Sequence, residues 1–328
     1  MVRTTLSTAL LIALLPGCTV DGAVTAIVQT DSWTQPAREG GVDILWVVDD
    51  SASMYEERQQ LELHAESFIS YLSSVPVDFN LGVTSTDMDV DYPGTLIGDV
   101  LSGDTPELTS EFIIQLENDS NGSRDEMGLY AAMLAADPDG GFGREGADLE
   151  VVFFTDEDDA SEVTATQALE ALEADRQGTK VVVNAIVGDP PEGCASLLAA
   201  ANAGEKYIEA QQLTEGLRES ICALDYDAML ERIALQVLGM NTTFALDYVP
   251  SPDSLEVRVD DVLVVERDRH GWRYEAGDNT IVFDGYAVPR PGAEIVVRYY
   301  EWVGPALDDV ETIEQPTEEE TSSGDTGE

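Results

Sequence analysis

An aspartate and two serines at alternate positions follow an apolar run early in the chain. The run covers residues 44–48, and the polar residues are Asp49, Ser51 and Ser53. Five consecutive apolar residues are typical of a strand that is buried on both faces of a sheet. Carboxylate and hydroxyl oxygens are the kind of ligand that Mg²⁺ prefers in proteins. The segment therefore predicts a buried strand that ends in a cluster of oxygen ligands.

The two serines have a second interpretation, as caps of a helix. A helix is predicted to begin near Met54, and serine is a preferred residue at the N-terminal cap. Under this hypothesis the hydroxyls of Ser51 and Ser53 bind backbone N–H groups of the helix and no metal. Both interpretations stay open at this point.

Strand-like and helix-like segments alternate from about residue 41 to residue 240. This alternation predicts an α/β fold with a doubly wound, mostly parallel sheet whose strands are joined by crossover helices. The predicted strands cover residues 43–48, 78–85, 150–155 and 180–187. The predicted helices cover residues 54–73, 125–136, 165–177, 193–203 and 225–237. Such a sheet binds ligands at the carboxyl ends of its strands, and Asp49 follows the first of them directly.

The Asp-x-Ser-x-Ser pattern resembles the metal-ion-dependent adhesion site, or MIDAS, of von Willebrand factor type A (VWA) domains. The resemblance implies a doubly wound, Rossmann-like sheet and two further ligands from a second and a third loop. Asp156 matches the third loop, although Glu157 stands where the family has glycine. Ser123 matches the second loop, five residues before Gly128, and replaces the family's threonine. Glu126 is an alternative ligand from the same loop.

The resemblance also implies a function. It predicts a Mg²⁺ site, with Mn²⁺ or Ca²⁺ as other candidate ions, formed by Asp49, Ser51, Ser53, Ser123 and Asp156. Adhesive members of the family use the open coordination position of this metal to bind an acidic side chain of a protein partner. We therefore expect a binding or adhesion protein of the cell envelope. A structural envelope component whose metal only stabilises the fold is the alternative, and a hydrolase is less favoured.

The sequence offers little for catalysis. Its two histidines, His64 and His270, fall in a predicted helix and a predicted β turn. Neither Ser51 nor Ser53 has a nearby base of the usual kind in the sequence. We expect that the protein is not an enzyme, and we assign no catalytic residue.

Two other acidic groups lie close to the predicted strand ends. Asp87, Asp89 and Asp91 imitate the start of a Ca²⁺-binding loop, but the glycine and the closing glutamate of an EF-hand are missing. A second cation near the same strand ends stays an open hypothesis. Asp158 and Asp159 are predicted to be solvated loop residues.

Acidic side chains outnumber basic ones by 65 to 16, which gives a formal charge of -49. This charge repels the phosphates of nucleic acids and anionic lipid headgroups, so we expect no nucleic acid partner. A solvated surface, as in a protein from a saline habitat, and a cation-rich surface layer both account for the acid excess.

The first residues have the pattern of an export signal. Arg3 is the only charged residue among residues 1–17, an apolar run covers residues 9–15, and Leu-Pro-Gly-Cys ends at Cys18. This ending resembles the lipobox of bacterial lipoproteins. We therefore expect a signal peptide over residues 1–17, lipidation at Cys18, and membrane contact only through the lipid anchor. An ordinary signal peptide that is cut nearby is the alternative.

Two cysteines remain if Cys18 carries lipid. In an exported protein Cys194 and Cys222 are free to form a disulfide, and two buried thiols are the alternative. The segments around both cysteines also resemble exported bacterial lipoproteins of the VWA family, in which such a pair follows the sheet. The resemblance covers about residues 40–240.

Apolar residues alternate with polar ones after about residue 241. This period of two predicts a small, sandwich-like all-β domain over residues 241–304. Residues 18–40 are predicted to be an N-terminal linker and residues 41–240 the VWA domain. Residues 305–328 are acidic and polar with almost nothing to bury, so a disordered tail is expected.

Overall fold

We describe the protein from a computed structural model. The structure describes residues 4–5, 26–117, 126–136, 142–174, 176, 178–197, 199–251 and 253–303. The predicted signal peptide apart from residues 4–5, the lipidation residue Cys18, the ligand Ser123 and the predicted tail lie outside the described residues.

The described residues form a mixed α/β structure. The strands are β1 (Thr4–Thr5), β2 (Val28–Thr34), β3 (Val42–Val48), β4 (Phe79–Ser85), β5 (Leu101–Ser102), β6 (Asp148–Phe154), β7 (Val181–Val187), β8 (Cys194–Ala195), β9 (Ala200–Ala201), β10 (Arg218–Ser220), β11 (Thr243–Ala245), β12 (Glu256–Val259), β13 (Val262–Leu263), β14 (Trp272–Glu275), β15 (Thr280–Phe283) and β16 (Glu294–Tyr300). The α-helices are α1 (Tyr55–Ser74), α2 (Leu108–Leu116), α3 (Gly128–Ala135), α4 (Ala165–Glu173), α5 (Glu205–Thr214) and α6 (Tyr226–Val237). Short 3₁₀ helices cover Ala52–Met54 and Gly285–Ala287. None of the described helices combines the length and the apolar character that a membrane span requires.

A six-stranded, mostly parallel sheet lies at the centre, in the order β10-β7-β6-β3-β4-β5. Helices α1, α2 and α6 pack on one face, and α3, α4 and α5 pack on the other. Strand β3 is buried along its whole length because successive side chains point to opposite, covered faces. The side chain of Trp46 packs in the hydrophobic core under α1, α2 and α6, whereas those of Leu45 and Val47 pack in the core under α3, α4 and α5. The predicted α/β class and parallel sheet are confirmed.

Aromatic packing fixes α1 and α2 against β3. The ring of Trp46 is fully buried and meets Phe68 edge-on at 5.2 Å and Phe112 at 5.7 Å between centroids. Such aromatic pairs contribute about 0.5–1.5 kcal/mol beyond the area that they bury. The loop of residues 49–54 therefore starts and ends on elements that are firmly packed together.

The strands and helices predicted for residues 41–240 agree with the structure except in one region. The four predicted strands are β3, β4, β6 and β7, each within two residues at either end. Helices α1, α3, α4 and α6 were predicted, while α2 and α5 were not. The helix predicted over residues 193–203 is wrong.

In this region β8 and β9 pair in antiparallel fashion instead, with Cys194 opposite Ala201. The alanine-rich sequence favours a helix, but tertiary contacts override this propensity. Gly193 has φ +87°, and any side chain there would collide with the carbonyl oxygen of Ala201. Cys194 is also joined to Cys222 by a disulfide, with 6.1 Å between the Cα atoms. The predicted disulfide is thus confirmed, and two free thiols are excluded.

Besides the β8-β9 pair, the described residues form two antiparallel sheets outside the central sheet, in the orders β1-β2-β16-β12-β13 and β11-β15-β14. They pack together through Trp33 and Phe244, whose ring centroids are 5.5 Å apart. Strand β2 pairs with β16 over seven residues and lies within the predicted linker. The linker prediction is therefore wrong for residues 28–34. That residues 241–304 form a domain of their own stays a prediction.

The inward face of β2 explains why the sequence did not reveal it. Two of its buried residues are polar, so the alternation of apolar side chains is broken. Asp31 accepts a hydrogen bond from the hydroxyl of Tyr299 at 2.8 Å, and Gln29 donates to Glu301 at 2.7 Å. Buried polar groups are tolerated when they are hydrogen-bonded in this way.

Candidate metal centre

Two neighbouring strands bring the described predicted ligands to the carboxyl edge of the central sheet, and a third strand ends beside them. In β3 and β6, Val48 lies opposite Phe154, and the N–H of Asp49 donates to the carbonyl of Phe154 at 3.0 Å. On the other side of β3, Val48 lies opposite Ser85 at the end of β4. The loops that follow β3, β4 and β6 therefore begin side by side.

Asp49 ties two of these loops together. Its side chain is fully buried. Oδ1 accepts a hydrogen bond from the N–H of Ser51 at 2.8 Å, and Oδ2 accepts one from the hydroxyl of Thr155 at 2.6 Å. The carboxylate thus connects the loop after β3 to the loop after β6.

The hydroxyls of Ser51 and Ser53 face each other rather than the backbone of α1. Their Oγ atoms are 2.9 Å apart, and the Oγ of Ser53 lies 3.4 Å from Oδ1 of Asp156. Within the described residues, Ser51 stands at the cap of the 3₁₀ helix without a side-chain cap bond, and α1 follows Met54, also without one. The structure brings Ser53 to Asp156 and Ser51 to Ser53, and the helix-cap interpretation finds no supporting hydrogen bond.

Asp156 is 5% exposed and lies among other carboxylates. Burial, and next the charge of Asp49, raise the pKa of Asp156 to about 7. Glu157, which replaces the glycine of the family, donates its N–H to the hydroxyl of Thr155 at 3.1 Å. With glutamate in place of glycine at position 157, Asp156 still lies within 3.4 Å of the Oγ of Ser53.

Glu126 reaches the same carboxyl edge from the loop before α3. It is 1% exposed, and one oxygen accepts a hydrogen bond from the hydroxyl of Thr86. Burial, and next the charge of Asp49, raise the pKa of Glu126 to about 8. Sequence reasoning did not single out Thr86, although a polar residue directly after a predicted strand is a signal for this edge.

A pocket of about 330 Å³ lies beside the site, lined by residues that include Asp50, Asp87 and Asp91. Burial is the main cause that raises the pKa of Asp50 to about 6, and the hydrogen bond from the Ser85 side chain lowers this pKa only in part. Asp87 accepts a hydrogen bond from the N–H of Asp89 at 2.7 Å. The structure thus places two of the three loop aspartates at this pocket, and the second cation stays a hypothesis.

The donor atoms of the candidate metal site, which we define as Asp49, Ser51, Ser53 and Asp156, fit a hard divalent cation. Mg²⁺ and Ca²⁺ prefer oxygen ligands, and hydroxyls and carboxylates both supply them. After burial, the negative charge of Asp49 is the next cause that raises the pKa of Asp156, so a bound cation would relieve the repulsion between these two carboxylates. In the described part of the chain, no three His, Cys, Asp or Glu side chains form a metal-binding group. The candidate site differs from such a group because it mixes hydroxyls with carboxylates.

Asp158 and Asp159 are not merely solvated, so that prediction is wrong. Asp159 is 4% exposed and accepts a hydrogen bond from the N–H of Leu129 at 2.9 Å, at the start of α3. Asp158 accepts one from the N–H of Lys206 at 2.9 Å, at the start of α5. Both carboxylates satisfy N–H groups that have no partner within their helices. The role of Asp158 was hidden because α5 was not predicted.

Comparison with known proteins gives only distant similarities. No protein-family model matches the chain, and no curated protein matches it. Two crystal structures of the pilus adhesin SpaC from Lactobacillus rhamnosus GG are similar, at 13% and 12% identity with TM-scores of 0.47 and 0.48. They cover 84% of this chain and 41% and 40% of the adhesin.

A von Willebrand factor type A protein from Catenulispora acidiphila is similar at 13% identity with a TM-score of 0.42. That match covers 86% of this chain and 62% of the other. The chain therefore spans less than two thirds of the length of each of these proteins. All three similarities lie below 25% identity and below a TM-score of 0.5.

Proposed function

We propose that the protein is a cell-envelope binding protein that engages an acidic group of a protein partner through a divalent cation, Mg²⁺ in the first place. Ser51, Ser53 and Asp156 would hold the cation, with Asp49 behind them. The observation that carries this proposal is the pair of facing hydroxyls beside a buried carboxylate, at the edge where three loops meet. The proposal includes membership of the VWA family.

The exposure and charge of these residues support binding of an outside ligand. Ser53 is exposed, so a cation held there would be reachable from solvent. When bound, the cation would supply a coordination position for a carboxylate oxygen of the partner. Hydroxyl ligands are neutral and leave the charge of the ion only partly compensated. The loops of the chain orient these hydroxyls because Asp49 holds both loops in place.

A structural role of the metal is the second candidate. The observation that favours it is that both oxygens of Asp49 already accept hydrogen bonds, one from Ser51 in the same loop and one from Thr155 in the loop after β6. In that case a cation would only stabilise the fold. Metal removal would then lower the melting temperature without changing partner binding.

We propose binding rather than catalysis. His64 lies on α1, where its Nδ1 is 2.9 Å from Oδ1 of Asp227. His270 stacks on Tyr286, with 4.8 Å between ring centroids. Neither contact involves the candidate metal site. We also propose export and lipid anchoring through Cys18, on the pattern of residues 1–18.

Capture of envelope proteins by the immobilised, exported chain tests the proposed function. We expect a partner to be retained in Mg²⁺, released by EDTA and recaptured when Mg²⁺ is restored, because its carboxylate needs the cation. The melting temperature is measured in the same buffers. Retention that is equal with and without EDTA, together with a lower melting temperature in EDTA, would support the structural role and contradict the proposal.

A further inference from the structure

One buried carboxylate oxygen at the carboxyl edge of the sheet lacks a hydrogen-bond partner among the described residues. Glu126 is 1% exposed, and its Oε2 accepts a hydrogen bond from Thr86. Among the described residues, its Oε1 has no hydrogen-bond partner. A buried polar atom without a partner is costly, so each such atom in a native structure calls for an explanation. A ligand that binds Oε1 is one such explanation.

Backbone hydrogen bonds fix Glu126 between the loops of the candidate metal site. Its carbonyl accepts from the N–H of Ala160 at 2.7 Å, in the loop after β6. The next residue, Met127, donates its N–H to the carbonyl of Thr86 at 3.1 Å, and Thr86 donates to the carbonyl of Val48 at 3.2 Å. Val48 directly precedes Asp49. The side chain of Glu126 therefore starts from a fixed position next to the loop that carries Asp49.

We infer that Glu126 is a direct ligand of the cation and that Oε1 supplies the oxygen of the second loop. This inference rests on the proposed function, because it concerns the same site. Thr86 holds the other oxygen, so the carboxylate is oriented before the cation arrives. Divalent ions prefer oxygen ligands, so a cation bound at Oε1 would satisfy the oxygen for which no described residue is a hydrogen-bond partner.

The additional carboxylate changes the charge of the site. Among the residues that would contact the cation, Asp156 carries one formal negative charge and Glu126 adds a second, so the charge of a divalent ion would be fully instead of only partly compensated. The number of charged ligands tunes the affinity of a protein site for its cation. The site should consequently hold the cation more tightly, and attract a partner carboxylate less strongly, than a site without Glu126.

The test is Glu126→Gln in the full chain, titrated with Mg²⁺ and with Ca²⁺ by calorimetry. The amide has nearly the same shape and can still bind Thr86, but the negative charge is lost. We expect a cation affinity at least tenfold weaker than that of the wild type. Glu150→Gln is the matched control, because Glu150 is also 1% exposed but pairs with Arg38 at 3.0 Å in the middle of β6. We expect its cation affinity to be unchanged.

Equal cation affinities of Glu126→Gln and the wild type would overturn the inference. Asp49→Asn separates this failure from a failure of the proposed function. If Asp49→Asn loses the cation and Glu126→Gln keeps it, only the inference is wrong, whereas a wild type that binds no cation refutes both. If Glu126→Gln does not fold, Glu126→Asp serves instead. It keeps the charge but withdraws the oxygen by one methylene, and we expect a similar loss of affinity.

Discussion

Asp49→Asn should weaken Mg²⁺ binding at least a hundredfold and leave the fold in place. A hundredfold loss corresponds to about 2.7 kcal/mol of binding free energy. The substitution removes the negative charge of a fully buried side chain, and the site then competes less well with water for Mg²⁺, which gives up its waters reluctantly. The amide oxygen of asparagine can still accept from the N–H of Ser51, which Asp49 binds at 2.8 Å. Calorimetric titration and circular dichroism measure the two effects.

Thr155→Val provides a graded control for this prediction. It removes the hydroxyl that donates to Asp49 at 2.6 Å but leaves the carboxylate and its charge. We expect a smaller loss of Mg²⁺ affinity than in Asp49→Asn. Equal titrations of Asp49→Asn and the wild type would show that Asp49 only holds the loops together.

The metal-free protein should lose stability as the pH rises from about 4 to about 8. Burial is the main cause that raises the pKa of Asp50 to about 6, of Asp156 to about 7 and of Glu126 to about 8. In the unfolded chain these groups have already released their protons in this range, whereas the folded protein retains them. The folded state therefore binds more protons, and the free energy of unfolding falls with rising pH.

A cation at the candidate metal site competes with protons for these carboxylates. The stabilisation that the cation provides should therefore increase as the pH rises, whereas the stability of the metal-free protein falls. We expect added Mg²⁺ to change the melting temperature little at pH 5 and most at pH 8. Glu150, whose pKa burial raises to about 7, lies away from the site and contributes a pH dependence that Mg²⁺ does not alter. Melting curves at each pH with Mg²⁺ and with EDTA separate the two contributions. A Mg²⁺ effect that is the same at pH 5 and pH 8 would contradict this prediction.

Much of the central sheet could be predicted because its strands carry a strong local signal. Strand β3 is apolar over residues 44–48 and buried on both faces, so pattern alone located it. Strand β2 carries polar residues on its inward face, and only its pairing with β16 shows that it is a strand. The β8-β9 pair depends on the disulfide to Cys222 and on close backbone contacts, which a single sequence does not display.

The candidate site shows the same division between local and tertiary signals. Asp49, Ser51 and Ser53 directly follow a predictable strand, and Asp156 follows another, so their meeting at one edge was predictable. The placement of Glu126 depends on hydrogen bonds to residues that are distant in sequence. Its hydrogen bond to Thr86 spans 40 residues, and no pattern in the sequence relates the two.

Diffraction from crystals grown with Mn²⁺ decides whether a cation binds at the candidate metal site, because the anomalous signal locates the ion independently of any partner. We predict a strong anomalous peak among Ser51, Ser53 and Asp156 at the carboxyl edge of the sheet. We also predict that this peak is absent from crystals of Asp49→Asn grown in the same way. A map of the wild type with no peak at this edge, or with peaks only elsewhere on the acidic surface, would contradict the account.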